Sequence, residues 1–303
     1  MTAGPDIVLQ PGTLLPALQA RAQSALASGA LQPMLTDEEV VEDGGVRFLV
    51  RVVSTLRSKE AERRRQTSPD PRPGKRANPF LPPERALTVA DISRRHLAIL
   101  NKFHVLERHL LIVTRAFEHQ ETLLTLDDFR ALFVCMAEYP SLGFYNGGVT
   151  AGASQPHKHL QLVPLFPAAG RLGVPMEPLL LGAGPQCPDL PFTHAYGRLS
   201  VSPAEAPLRA ASQGLDVYRR LLLLLGISGM QREGESRQSA PYNLLVARDW
   251  MLAVPRIQEC YGTVSVNALG FAGSLFVKDP EQLETIRSAG PMRVLKAVAG
   301  YIS

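Results

Sequence analysis

Cysteine is scarce: the chain of 303 residues holds three, Cys135, Cys187 and Cys260. They are odd in number, far apart and form no CxxC pair. That argues against a disulfide framework or a cysteine-rich zinc centre and fits a reducing compartment. Long apolar runs are missing as well. The longest, residues 131–137, falls far short of the roughly 20 residues that a membrane span needs, so no membrane partner is expected. The opening residues MTAGPDIVLQ lack the basic-then-apolar order of a secretory leader, and a cytoplasmic location is expected. Charge of one sign is also lacking. With 32 basic against 28 acidic residues the net charge is +4, too weak a bias for a general nucleic-acid binder. What is present is ordinary: 45% apolar and 20% charged residues describe a soluble globular chain long enough to bury a substantial core.

Apolar periodicity mixes helices and strands. Residues 13–30 read as a helix with Leu15, Leu18, Ala22 and Ala25 near one face. Val46, Phe48, Val50 and Val52 alternate along a half-buried strand, and residues 109–114 are a buried one. Residues 125–139 read as a helix opened by a Thr125–Asp128 capping box, with Phe129, Leu132, Phe133 and Met136 in one stripe. Ser202 and Pro203 open a further helix carrying Leu208, Leu215, Tyr218 and Leu222. Residues 243–247 and 250–255 form a hairpin turning at Arg248 and Asp249, with Trp250 and Met251 in the core. A short strand at 274–277 precedes a helix capped by Asp279 and Gln282, which Gly290 and Pro291 divide. Strict βαβ alternation is absent, so the expected class is α+β, a mainly antiparallel sheet flanked by helices.

Residues 57–76 are the most polar segment, with eight Lys or Arg against three acidic residues and with prolines that break any long helix. Composition alone allows a solvated basic linker or a clamp over an anionic substrate.

The stretch GASQPHKHLQLVPL, residues 152–165, carries the chemistry. Strand alternation would turn His157, His159 and Gln161 one way and Lys158, Leu160 and Leu162 the other. The preceding loop supplies Asn146, Gly147, Gly152, Ser154 and Gln155. Its glycines permit close backbone approach, and its polar residues offer uncharged donors for phosphate oxygens. The residues themselves leave three chemistries open. The histidines could be satisfied core residues, two ligands of a metal that still needs a third, or a nucleophile. A neutral imidazole has a nitrogen lone pair available near pH 7.

The HxHxQ pattern with its Gly-rich approach resembles the histidine-triad superfamily, in the transferase branch where glutamine replaces the third histidine. Five further blocks resemble the diadenosine tetraphosphate phosphorylases (ATP adenylyltransferases) within it. They are NPFLPPE (78–84), LNKFHVLERHLLIVTRAFEHQ (100–120), LPFTHAY (190–196), YNLLVARDWMLAVPR (242–256) and NALGFAGSLFVK (267–278). They occur in the family's order, and the resemblance covers residues 46–300.

The resemblance implies a histidine-triad-like catalytic region over residues 1–168 and an ATP adenylyltransferase extension over 190–303, packed on the same core. It also implies reversible phosphorolysis of diadenosine tetraphosphate to ATP and ADP. His159 would be the nucleophile that carries AMP, His157 would shape the site and Gln161 would donate to a phosphate oxygen. Asn146, Gly147, Gly152, Ser154 and Gln155 would meet phosphate, with Lys75 or Lys59 from the basic segment, which now reads as a clamp. Asn78, Phe80, Asn101 and Lys102 would border an adenosine. His104, His109 and His119 receive no catalytic role. The expected partners are diadenosine tetraphosphate, ATP, ADP and phosphate, with no nucleic acid. No covalent cofactor is expected, and Mg²⁺ accompanying the polyanionic nucleotide is compatible with the reading. The rival readings are a hexose-1-phosphate nucleotidyltransferase of the same branch and a nucleotide-binding sensor without turnover.

Overall fold

An eight-stranded antiparallel sheet organises the chain. In the computed structural model, residues 6–53, 78–168, 171–180, 184–185 and 187–300 are described. In chain order their main elements begin with α1 (Leu14–Ala27), β1 (Thr36–Asp43), β2 (Val46–Val53), β3 (Thr88–Asp91), β4 (His96–Leu100) and β5 (Leu110–Thr114). Next come α2 (Leu126–Met136), β6 (Ser141–Gly147), β7 (His159–Pro164), β8 (Ala195–Arg198) and α3 (Pro207–Leu224). The chain closes with β9 (Tyr242–Val246), β10 (Trp250–Pro255), β11 (Ser274–Val277), α4 (Pro280–Ala289) and α5 (Pro291–Val298). The large sheet runs β8-β10-β9-β6-β7-β5-β4-β3, so strands from the last third of the sequence extend the sheet that carries the His-rich strand.

Each face of this sheet has its own core. Leu160, Leu162, Tyr145, Leu244 and Met251 pack on one side with residues of α1, α2 and α3. Phe144, Val163, Leu245, Leu252 and Val254 pack on the other with Phe48, Val50 and Leu275 of the small sheet and with Ile286 and Leu295. The pleat alternates side chains between faces, so His159 and Gln161 share the second face with Val163, in the direction the alternation predicts.

Most elements lie where the sequence places them. The Thr125–Asp128 capping box is formed in both directions, and Asp279 caps α4 by accepting from the Gln282 N–H. Trp250 and Met251 are buried. Some details differ. The helix predicted from Ser202 begins at Pro207, because the Ala206 N–H turns back to the Ser202 carbonyl and Pro207 takes the first helical position. Its Leu208 is consequently exposed. In α1 the buried positions are Leu14, Leu18 and Ala25, one residue off the predicted face at its start. β11 joins β2 in parallel, in a separate three-stranded sheet. The Lys59 and Lys75 candidates lie outside the described residues.

Candidate active site

The ladder between β6 and β7 runs from Ser141–Pro164 to Phe144–Gln161. Beyond that point the side chain of Gln120 joins the two strands. Its amide nitrogen donates to the carbonyls of Asn146 (2.9 Å) and His159 (3.2 Å), and its oxygen accepts the His159 N–H (2.8 Å). His159 therefore opens β7 at a place where the backbone is fully bonded. His157 lies two residues earlier, outside the strand, in an isolated bridge to His119. This corrects the expectation of one continuous HxHxQ strand. Proline at position 156 and the Lys158 N–H bond to the Glu118 carbonyl take this part of the chain out of the ladder.

Three histidines meet here, and the tautomer of each follows from its neighbours. The Phe80 N–H donates to Asn78 Oδ1, so the Asn78 amino group faces His157 Nδ1 at 2.9 Å. The proton of His157 then sits on Nε2 and bonds the Thr114 carbonyl at 2.8 Å. The same device recurs at the second Asn-x-Phe. The Phe103 N–H holds Asn101 Oδ1, the Asn101 amino group donates to His109 Nδ1 (3.2 Å), and His109 Nε2–H donates to Gln161 Oε1 (2.9 Å). His159 Nδ1–H donates to the His157 carbonyl at 2.8 Å, which leaves Nε2 as a lone pair. Gln161 is held by its oxygen, so its NH₂ is the end left to donate.

These bonds give several of the expected residues definite partners. Asn78 and Asn101 spend their amides on histidine rings, and Lys102 pairs with Glu84 at 2.9 Å. Phe80 is buried with its ring centroid 5.5 Å from those of both His157 and His159. His109 receives no role from sequence reasoning, yet it orients Gln161. Only its place at the head of the HLLIVT stretch hints at this, and pairing of β5 with β7 is what delivers it. Gln120 is likewise missed. His157 has both nitrogens engaged, so an HxH pair arranged this way lacks the second free lone pair that metal chelation needs.

Burial pushes His159 down to about 4, against the opposing bond to the His157 carbonyl, and pushes His109 to a similar value against its bond to Gln161. His157 is also lowered, first by burial. The rings are thus neutral at pH 7. Between pH 6.5 and 4 the unfolded chain takes up a proton on each such ring that the folded chain refuses, so stability falls as the pH falls through this window. For His159 alone the loss is on the order of 3 kcal/mol. Urea denaturation at pH 7, 5.5 and 4 should show that loss; a flat profile would contradict it.

The approach loop needs its glycines for packing. A Cβ on Gly147 would lie 2.5 Å from Gln238 Oε1 and 2.9 Å from the Tyr242 carbonyl. Gly152 has φ +87°, and a Cβ there would meet Asn267 Cβ at 2.9 Å. Asn146 is buried, Gln155 half-buried and Ser154 exposed.

Behind the site, Lys158 points the other way as predicted, into a buried ionic cluster. Its Nζ reaches Asp128 (2.7 Å), the Leu123 carbonyl (3.1 Å) and Glu118 (3.3 Å). Asp128 also binds His96 Nε2 at 2.9 Å.

A family model described as the Ap4A phosphorylase N-terminal domain matches residues 4–182, more than half of the chain, and one described as the ATP adenylyltransferase C-terminal domain matches residues 188–300. The chain belongs to the Ap4A phosphorylase family. Two Saccharomyces cerevisiae proteins are similar to this family member. Diadenosine 5',5'''-P1,P4-tetraphosphate phosphorylase 2 is 28% identical over 242 residues, covering 70% of this chain and 72% of that protein. Protein APA1 is 27% identical over 239 residues, covering 69% and 71%. The crystal structure of yeast Ap4A phosphorylase Apa2 in complex with Ap4A matches with a TM-score of 0.76 at 22% identity, over 96% of this chain and 98% of that one. The fold of the family member is thus the α+β, histidine-triad-like one expected from the sequence.

Proposed function

We infer that this enzyme phosphorolyses Ap4A to ATP and ADP through an AMP–His159 intermediate. Family membership supports the overall reaction, and the unpaired Nε2 of a neutral, buried His159 carries the mechanism. In the first step Nε2 attacks the α-phosphorus: a P–N bond forms, the P–O bond to the leaving group breaks, and ATP departs. In the second step an oxygen of inorganic phosphate attacks the same phosphorus, the P–N bond breaks and ADP leaves. The ring becomes cationic on attack, and the Nδ1–H bond to the His157 carbonyl stabilises that charge without moving a proton.

The rest of the site supplies positioning and neutral donors. Gln161 NH₂, fixed by His109, and the approach loop would face the non-bridging oxygens, with Lys75 or Lys59 on the outer phosphates. Incubating the protein with Ap4A without phosphate, then quenching in alkali, should leave one adenylyl group on the peptide bearing His159 by mass spectrometry. No adduct, in a preparation that turns over, would sink the covalent route.

Glutamine at 161 donates a hydrogen bond but cannot protonate a leaving group. ATP departs readily as an anion, so the enzyme loses little there. A histidine at 161 would supply acid–base help, typically worth about 10²–10⁴ in rate, that water needs more than phosphate does. Gln161→His should therefore lower the ratio of ADP to AMP formed from Ap4A by about 10-fold. An unchanged product ratio would remove this role for the glutamine.

A further inference from the structure

Arg256, just past β10, is 2% exposed, and among the described residues no carboxylate pairs with it. Its five donor bonds go to neutral oxygens. Nε reaches the Val298 carbonyl (3.2 Å), Nη1 the Val266 carbonyl (2.8 Å) and Asn243 Oδ1, and Nη2 the carbonyls of Gln258 (2.8 Å) and Glu259 (3.1 Å). Burial lowers the guanidinium only to about 10, so the charge persists at pH 7. One side chain, Asn243, takes up part of this buried charge.

The consequence propagates along the sheet. A guanidinium only donates, so the Asn243 atom facing it must be the oxygen. The Asn243 amino group then points the other way and donates to Asn146 Oδ1 (2.8 Å) and the Ala151 carbonyl (2.8 Å). Asn243 and Asn146 are direct partners across β9 and β6. The Ala268 N–H occupies the same Asn146 oxygen at 3.0 Å. With that oxygen taken by Asn243 and the Ala268 N–H, the Asn146 NH₂ points away from both, and it has no protein acceptor among the described residues. By alternation Asn146 lies on the Phe144 face, the face that carries His159 and Gln161.

We propose that Arg256 and Asn243 are positioning residues that lock the Asn146 carboxamide with its NH₂ toward the phosphate held at His159. This rests on the nucleotidyl-transfer reading above. The site would then hold two locked amide donors: Gln161, set by His109 from one side, and Asn146, set by Arg256 from the other. The C-terminal third of the chain would thus act in the reaction without touching substrate.

The informative variant is Asn243→Asp. The new carboxylate keeps Arg256 paired but has no N–H to give to Asn146 or to the Ala151 carbonyl. Asn146 can then answer the carboxylate only by turning its NH₂ toward it, which gives up the Ala268 N–H bond and presents the Asn146 oxygen to phosphate. Removing one such donor typically costs about 10²–10³ in kcat. We expect Asn243→Asp to lower kcat for Ap4A by about 100-fold in protein that still folds, with a thermal midpoint lowered by the lost Ala151 and Ala268 bonds. It should also weaken AMP binding in calorimetry, a readout that needs no covalent step.

A double-mutant cycle decides the case. In an Asn146→Ala background, adding Asn243→Asp should cost nothing more, because both changes remove one donor. Equal losses in both backgrounds would mean that Asn243 acts only structurally and would overturn the proposal, as would an unchanged kcat. Wild-type protein that binds AMP but forms no adduct would instead count against the covalent reading, while the AMP-binding cycle would still test the lock.

Discussion

His159→Gly is expected to lower phosphorolysis of Ap4A by about 10⁴-fold or more, the scale of losing a nucleophile whose neighbours cannot replace it. His157 has both nitrogens committed, to Asn78 and to the Thr114 carbonyl. His109 spends its nitrogens on Asn101 and Gln161. Neither ring offers a second lone pair for attack. The fold should survive, because the bonds that fix this residue to Gln120 run through its backbone N–H and carbonyl, which glycine retains. The cost to the strand itself is about 1 kcal/mol. Initial rates of ATP and ADP formation, read beside a denaturation curve, check both halves. A folded variant within 10-fold of wild type would remove His159 from the mechanism.

Lys158→Met should be the most damaging change to stability, by about 3–5 kcal/mol, because it strands a buried carboxylate. The Lys158 side chain is 0% and that of Asp128 2% exposed. Burial by itself raises the Asp128 carboxyl, but the Lys158 ammonium and the His96 bond outweigh it and hold the group below the usual carboxylate range. A depressed carboxylate stabilises the fold above its unfolded pKa of about 4 and loses that contribution as the pH drops below it. The gap between wild type and variant should therefore be full at pH 7 and narrow towards pH 3, where the stranded Asp128 can protonate. Adding Asp128→Asn should recover part of the loss at pH 7, since it removes the unpaired charge. Denaturant midpoints for the three proteins supply the comparison. A single variant as stable as wild type at pH 7 would show that the cluster carries no net energy.

Both expectations depend on how His159 and Lys158 came to point to opposite sides of the chain where β7 begins, and that much is local. Two-residue alternation assigns Lys158 and His159 to different faces, and a Thr-x-x-Asp box starts α2 where Asp128 can meet the lysine. Such signals depend on chain geometry within a few residues, so one sequence suffices to read them. The HxHxQ pattern and the five ordered blocks belong to the same legible layer and pointed to the family and its α+β fold.

The contacts that decide protonation and donor orientation are of another kind. Asn78 meets His157, Asn101 meets Gln161 through His109, and Gln120 bridges β6 and β7. Arg256 reaches Asn146 through Asn243. Most of these partners stand tens of residues apart, and they are neighbours only because β9 lies beside β6 and β5 beside β7. Composition and periodicity carry no trace of that order. The amino-acid sequence by itself determined which atoms could react. Tertiary structure alone decided which nitrogen keeps its lone pair and which way each amide faces, because a hydrogen bond depends on the position of its partner in space and not on its distance along the chain.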